Sequence, residues 1–511
     1  MTPPARPADD PAPPPRAAWS VLLGLAAARL ALHFAVGSGY GLFRDEFYYL
    51  ACGARPDWGY VDQPPLVPLL ARLAAAIWGD TTITAGELRT FSALAAAGMV
   101  VLAGLVAREL GGGRFAQGLA ALAVWCGPIF LATGELFETV VFDQLCWTLT
   151  LWLTLRAWKR APGWRWLLVG LAAGVGLEVK FTMGMCGLGL AAALLFTAAG
   201  RRHLRSPWPW LGGALALGLL APNLWWQHAH GWPTAEFVRN NNAVSREDWT
   251  VGQFLLAQVG SVNPAGLALA LAGVWRAFVR PADGRSAVVP GWAFVVPLAV
   301  LLVTRGKPYY LGAAYPTLLA AGACAAEGWA ARGRRWRGPA LAGGVILMTL
   351  PAVPLVLPVV PRARLAGSWV ARAQRDYGET FGWEELAAQV AGVVEKLPAA
   401  ERARTAVFAN NYGEAAALEH FGGPALAGVP VVSPHNNYWL WGPGSSDPQT
   451  LVVVGTRHPE RWTPFFEQVE RAATLDNSLG IDNEERGAGV YLCRGPRAPL
   501  RTRWAELKHF N

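Results

Sequence analysis

TVVFDQLCWTLTLWLTLRAWKR, residues 139–160, decides the fold class. The run is apolar over enough residues to cross a hydrocarbon layer, which takes about 20 residues in a helix. It closes on Arg156, Lys159 and Arg160, and it carries one carboxylate, Asp143, about a turn from its other end. Similar runs flank it, so that candidate spans lie at 17–36, 88–107, 115–133, 140–157, 164–178, 182–199, 209–226, 256–275, 288–304, 308–327 and 339–359. They number about eleven, within a range of 11–13. Gly127 and Pro128 inside the third predict a helix broken in two. Composition agrees: of 511 residues 53% are hydrophobic and 15% charged. The expectation is a mainly α, polytopic membrane protein.

Charge orients these spans. Arg108 and Arg114 fill one connection; Arg156, Lys159, Arg160 and Arg165 the next but one; then follow Arg201, Arg202 and Arg205, then Arg276, Arg280 and Arg285, then Arg332, Arg334, Arg335 and Arg337. Cytoplasmic loops collect Lys and Arg, so this face and the tail bearing Arg6 and Arg16 read as cytoplasmic. The net charge of +9 is thereby a topology signal, and nucleic acid is not an expected partner. Residues 1–16, rich in proline, read as a disordered cytoplasmic tail, and residues 17–361 as the membrane domain.

The outer face receives segment 37–87, residues 227–255 and everything from 362 to 511. Segment 37–87 is too polar to span, yet Phe47 to Leu50 and Leu66 to Trp78 suit helices lying in the interface, with Trp58, Tyr60 and Trp78 at headgroup level. In 362–511, Thr405 to Phe408 and Leu451 to Val454 predict strands, and Trp383 to Lys396 and Glu414 to His420 predict helices. A small exterior α/β domain is expected. Among six cysteines only Cys52 and Cys493 fall outside the membrane, and no spacing supports their pairing.

The ionisable residues gather on that outer face. Asp45-Glu46 stands just past the first span, where a general base could meet both a lipid-borne donor and a water-side acceptor, or where an acidic pair simply begins an interfacial helix. Asp143 lies within an apolar run, where a charge costs about 3 kcal/mol and is a functional candidate by default. Glu135 and Glu138, at the outer end of that segment, suit a helix N-terminus facing water. Lys180, Arg305 and Lys307 are cations on the face where topology gives no reason for them, and an anionic headgroup would supply one. Asp62-Gln63-Pro64-Pro65 closes the first interfacial stretch, with Asp62 expected to cap the next helix. His228 and His230 lack a third ligand and read as part of an aromatic belt; Asn240 to Asn242, Asn410 to Tyr412 and His435 to Trp439 read as polar-aromatic loops. No Walker loop, GxGxxG or HExxH occurs, so nucleotide and zincin chemistry lack support. No metal or other cofactor is expected, with a divalent ion left open.

Arg44-Asp45-Glu46-Phe47-Tyr48-Tyr49 followed by Gly59-Tyr60-Val61-Asp62-Gln63-Pro64-Pro65 resembles the first exterior loop of bacterial glycosyltransferase family 39 proteins. That group includes relatives of protein O-mannosyltransferases and of the lipid A aminoarabinose transferase, with the GT-C fold. Phe142-Asp143, Lys180, Arg305-Gly306-Lys307-Pro308-Tyr309-Tyr310-Leu311, Trp225-Trp226-Gln227 through Gly231-Trp232-Pro233, and Phe408 to Glu414 extend the resemblance along almost the whole chain. It implies an integral-membrane, inverting transferase that takes a sugar from a polyprenyl-phosphate donor to an unknown acceptor at the outer face of the plasma membrane. Asp45 would be the base, Glu46 and Asp143 further acidic residues, and Lys180, Arg305 and Lys307 the donor-phosphate ligands. Tyr60, Asp62, Gln63 and Glu138 would support them. Gln63 stands where aminoarabinose transferases commonly carry Lys, so the sugar is not carried over. A transporter or lipid flippase also places charges within spans, but usually shows inverted repeats, and none is visible here. The expectation is that these dispersed residues meet in one outward-facing pocket.

Overall fold

The computed structural model describes residues 14–37, 39–159, 162–244, 249–279, 286–444 and 447–511, without the side chains of 242–244. The expected tail lies mostly outside the described residues, as do Arg160, Arg280 and Arg285. The chain is mainly helical and forms two compact units. One comprises Met1–Ala35, Thr90–Pro222 and Glu247–Leu357; the other comprises Val36–Arg89, Asn223–Arg246 and Pro358–Asn511.

The first unit holds the apolar helices. Among the described residues four are long and apolar enough to cross a membrane: Trp19–Val36, Ala85–Glu109, Val251–Phe278 and Arg337–Val356. The pair Met183–Phe196 and Ala198–Leu204, bent by 103°, makes a fifth if taken as one span. Arg165–Leu177 and Val288–Thr304 are apolar but shorter. The two outermost helices carry the decisive observation. Only 17% of the apolar window of Trp19–Val36 and 11% of that of Arg337–Val356 is buried in protein. Apolar side chains such as Leu23, Phe34, Val303 and Leu347 therefore need another cover, and lipid provides it.

Backbone groups freed inside such a helix have no water to turn to. The chain meets this at two breaks. As expected, the third run splits at Gly127, into Arg114–Cys126 and Pro128–Thr133. The Val251–Phe278 helix is kinked at Asn263, whose φ of 59° precedes Pro264. The Asn263 amide donates to Thr349 Oγ1 at 3.0 Å, and that hydroxyl reaches the Cys126 carbonyl at 2.8 Å and the Val345 carbonyl at 2.9 Å. One threonine thus serves two broken helices.

At one end of this unit several helix ends with basic residues come together. Arg276 donates to the Leu110 carbonyl at 2.9 Å, Lys159 to the Glu109 carbonyl, and Glu327 caps the Arg114–Cys126 helix through the Gly113 and Ala116 amides. Connections that share basic character in the sequence thus share one end of the unit. Glu135, expected to face water, is instead buried: its carboxylate lies 3.1 Å from Arg29 and 3.2 Å from His33, which stand one turn apart on the first helix. A water-facing carboxylate would need no partner; this one has two because it has no water.

The second unit is built on a five-stranded mixed sheet of order β2-β1-β3-β5-β4, with β1 Thr405–Ala409, β2 Val431–Val432, β3 Thr450–Thr456, β4 Phe466–Thr474 and β5 Gly489–Pro496. The parallel strands β1 and β3 pair Val407 with Val452 and are buried throughout β1 and nearly throughout β3, which is why they read as continuous apolar runs. The antiparallel β4 is an edge strand, mostly exposed, with little apolar signal. Helices Trp383–Glu395 and Tyr412–Phe421 match the expected ones. Asn240 and Asn241 lie not in a loop but on the helix Pro233–Val244, whose Asn240 amide donates to the Phe510 carbonyl at 2.8 Å. All six cysteines are buried and free, Cys52 and Cys493 included.

Segment 37–87 belongs to this unit and forms helices Arg44–Ala54 and Leu66–Trp78. Glu46 anchors it. Its carboxylate takes Arg89 in a two-pronged bond at 2.8 and 2.7 Å and caps the Phe43 amide at 2.7 Å, while Arg89 also holds the Gly37 and Gly41 carbonyls. Both side chains are essentially inaccessible. Removing one partner of such a pair costs about 3–5 kcal/mol, because the other charge stays buried. Arg89→Ala is therefore expected to lower the thermal melting midpoint of the detergent-purified protein markedly; a melt unchanged from wild type would refute the anchoring role.

Candidate functional site

In the second unit the helix Arg44–Ala54 meets segments some 370 residues away. Asp45, adjacent to the anchored Glu46, projects where 31% of its side chain stays exposed. Its Oδ1 accepts the Tyr412 hydroxyl at 2.7 Å and lies 3.7 Å from the Arg44 guanidinium. Tyr412 stands at the start of its helix, behind the Asn411 cap, and its ring packs on Tyr48 at 4.6 Å. The Tyr48 hydroxyl lies 3.1 Å from Asp62 Oδ1 and 3.3 Å from Asn437 Oδ1, and accepts the Asn437 amide at 3.2 Å. Asn437 Oδ1 in turn receives the Val61 amide at 2.6 Å.

Two carboxylates, Asp45 and Asp62, are thus joined through a pair of stacked tyrosines. Burial, with the facing Asp45 charge, pushes Tyr412 well above the ordinary phenol range, so it remains a hydrogen donor at neutral pH. Asp62 keeps a sliver of surface but is ringed by protein, and burial pushes its carboxyl up to about 7. Asp62 does not cap the next helix. Pro65 holds that position without a side-chain bond, because the Asp62 oxygen is taken by Tyr48. Tyr60, expected at headgroup level, is wholly buried and closes the loop by donating to the Cys52 carbonyl at 2.9 Å. Gln63 is buried beside it. His230 stacks on Trp226 at 4.2 Å, consistent with an aromatic belt.

The first unit holds a separate cluster. Asp143, near the start of Thr139–Lys159, is buried and accepts the Thr182 hydroxyl at 2.7 Å. Lys180, half-buried in the link before Met183–Phe196, attracts Asp143 electrostatically. Its ammonium sits 5.1 Å from the Tyr310 ring centre and 5.9 Å from that of Tyr309. These tyrosines belong to the short turn Pro308–Ala314, for which Lys307 is the N-cap residue. Arg305, with a left-handed φ of 53°, ends the preceding helix and is exposed. Among the described residues none of Lys180, Arg305 and Lys307 has a carboxylate within salt-bridge distance. Glu138 is half-buried immediately before Thr139.

The structure therefore brings Asp45 together with Asp62, and Asp143 with Lys180, in two clusters of which each unit holds one. Arg29, Arg89 and Thr182 carried no distinguishing sequence signal, and Tyr48 stood in the Arg44 to Tyr49 motif without an assigned role. Tyr412 and Asn437 were visible as members of polar-aromatic stretches, Tyr412 also within the resemblance over Phe408 to Glu414.

Comparison with known proteins supplies the frame. A family model described as dolichyl-phosphate-mannose-protein mannosyltransferase matches residues 62–226. No curated protein sequence matches significantly. Among solved structures, ArnT from Cupriavidus metallidurans bound to undecaprenyl phosphate aligns with a TM-score of 0.58 at 16% identity, covering 93% of this chain and 98% of that one; its apo form gives 0.57 at 15%. The Archaeoglobus fulgidus oligosaccharyltransferase tethered to an acceptor peptide aligns at 0.53 and 13% identity, over 96% of this chain and 77% of that one. The chain has their fold, and the family resemblance read from its motifs is borne out.

The Asp62 environment makes a measurable prediction. Because folding raises its pKa from 3.8 to about 7, the folded state keeps a proton that the unfolded chain has released. The stability this adds is fully present below the unfolded value and is lost as pH rises through the folded one. In Asp62→Asn, melting midpoints should fall less across that window than in wild type; parallel pH profiles would contradict the assignment.

Proposed function

We propose that the chain is an integral-membrane glycosyltransferase that moves a sugar from a polyprenyl-phosphate donor to an acceptor hydroxyl or comparable nucleophile. The observation that carries this is Asp45: a partly exposed carboxylate with one oxygen held by Tyr412, on a helix fixed by the buried Glu46–Arg89 pair. The fold it shares with a protein solved with undecaprenyl phosphate supports the donor class by analogy.

The chemistry assigns each group a part. The acceptor oxygen loses its proton to the free oxygen of Asp45 and forms a bond to the anomeric carbon. The bond from that carbon to the phosphate oxygen breaks, and its electron pair leaves with the polyprenyl phosphate. Single displacement inverts the anomeric centre. Negative charge develops on the phosphate, and Lys180, Arg305 and Lys307, cations without carboxylate partners, are suited to stabilise it. Asp143 and Thr182 position Lys180, and Glu46 positions Asp45 without touching substrate. Asp62, Tyr60, Gln63 and Glu138 shape the surrounding segments. The shorter apolar helices complete about eleven spans in this reading. The basic loops lie in the cytoplasm, and residues 362–511 form an α/β domain outside the plasma membrane.

Asp45→Asn is expected to abolish transfer from labelled polyprenyl-phosphate sugars to membrane acceptors, by about 100-fold or more, the scale of general-base catalysis. Membrane insertion and melting should stay as in wild type. Lys180→Ala and Lys307→Ala should weaken donor use. Full transfer by Asp45→Asn would remove the base assignment, and lipid movement without any transfer would favour a flippase.

A further inference from the structure

Beyond the Asp45 cluster, one part of the second unit holds more negative charge than its surroundings neutralise. Glu379 lies in the turn Arg375–Thr380, and Glu484 and Glu485 lie between β4 and β5. One oxygen from each comes within 4.8 Å of the others. Two ligand bonds of about 2.4 Å across a hard cation span about that distance, so a single ion could meet all three.

The second observation concerns Glu485 itself. Only 6% of it is exposed, and neither carboxylate oxygen has a hydrogen-bond partner. Glu379 Oε2 is likewise buried and unpartnered, while its Oε1 accepts the Glu484 amide at 3.1 Å. A buried carboxylate left in this state is unfavourable unless something cationic completes it.

The protein's own cations do not suffice. Arg44 pairs with Glu484 at 2.9 Å, but the same guanidinium also faces Asp45, Asp376, Glu379 and Glu485. Arg457 is turned to the Glu484 and Arg486 carbonyls, at 3.0 and 2.7 Å. Glu414 adds a further buried carboxylate, satisfied by the Asn410 and Asn411 amides. A cavity of about 750 Å³, bordered by Glu484, Glu485, Asn410 and Asn411, gives an ion access. His458 borders it too but is paired with Glu460 at 2.9 Å.

We propose that Glu379, Glu484 and Glu485 bind one hard divalent cation, of the Ca²⁺ or Mn²⁺ kind, which ties the β4–β5 connection to the Arg375–Thr380 turn. The donors are oxygens alone, which selects against zinc and copper. The site shares the neighbouring Arg44 with Asp45 but uses none of the residues assigned to the transfer reaction.

Manganese titration followed by electron paramagnetic resonance tests this on the full-length, chelator-stripped protein in detergent. Wild type should bind one Mn²⁺, displaced by Ca²⁺, and Ca²⁺ should raise its melting midpoint. Glu485→Gln and Glu379→Gln should each weaken Mn²⁺ binding about tenfold or more and abolish the Ca²⁺ effect on melting, while Asp45→Asn leaves both unchanged. Absence of Mn²⁺ binding in wild type overturns the proposal. So does binding that survives both glutamine variants, or that disappears in Asp45→Asn alone.

Discussion

Glu46 and Arg89 meet in a contact closed to solvent, and that contact governs how the Arg44–Ala54 helix is presented. A carboxylate and a guanidinium both withdrawn from solvent must satisfy one another, which leaves little freedom in the segment that carries them. Arg89 uses its remaining hydrogens on the Gly37 and Gly41 carbonyls, so the pair also sets the path by which the chain leaves the first apolar helix. Asp45, one residue along, points about 100° away around the helix axis. The neighbour of a rigid buried acid thereby becomes a partly exposed acid in a fixed place.

The same rule operates in the apolar unit with other groups. Glu135 is withdrawn against Arg29 and His33, and the freed carbonyl of Cys126 is taken by Thr349, which also serves the kink at Asn263. Each departure from a plain helix is matched by a polar side chain from elsewhere in the chain. Asp143 follows a milder version, with Thr182 on one oxygen and the charge of Lys180 nearby. These are the places where a hydrocarbon-embedded protein can keep polar groups, and the one at Asp143 and Lys180 is among those proposed for chemistry.

Several features were legible in the sequence because they depend on local pattern. Apolar runs mark the helices, Gly127-Pro128 marks a break, and short uninterrupted apolar runs mark β1 and β3. The edge strand β4 was not legible, since most of its residues are solvated and its place is set by pairing with β5. The asparagines at 240–242 looked like a turn by residue type, yet the helix continues through them, because propensity yields to tertiary packing. Asp62 was expected to cap a helix on proximity in sequence, but Tyr48 lay closer in space.

By itself the sequence determined that the chain belongs in a membrane, which connections are basic, and which acids and cations stand at the ends of apolar runs. Hydrophobic period and charge placement are properties of short segments, so they survive without knowledge of the fold. Only the tertiary structure decided that Tyr412 and Asn437 reach the acids of segment 37–87, that Glu46 is consumed by Arg89, and that Glu485 lies buried beside Glu379. Those outcomes join residues up to several hundred positions apart, and such meetings depend on how whole elements pack rather than on any local pattern of residues.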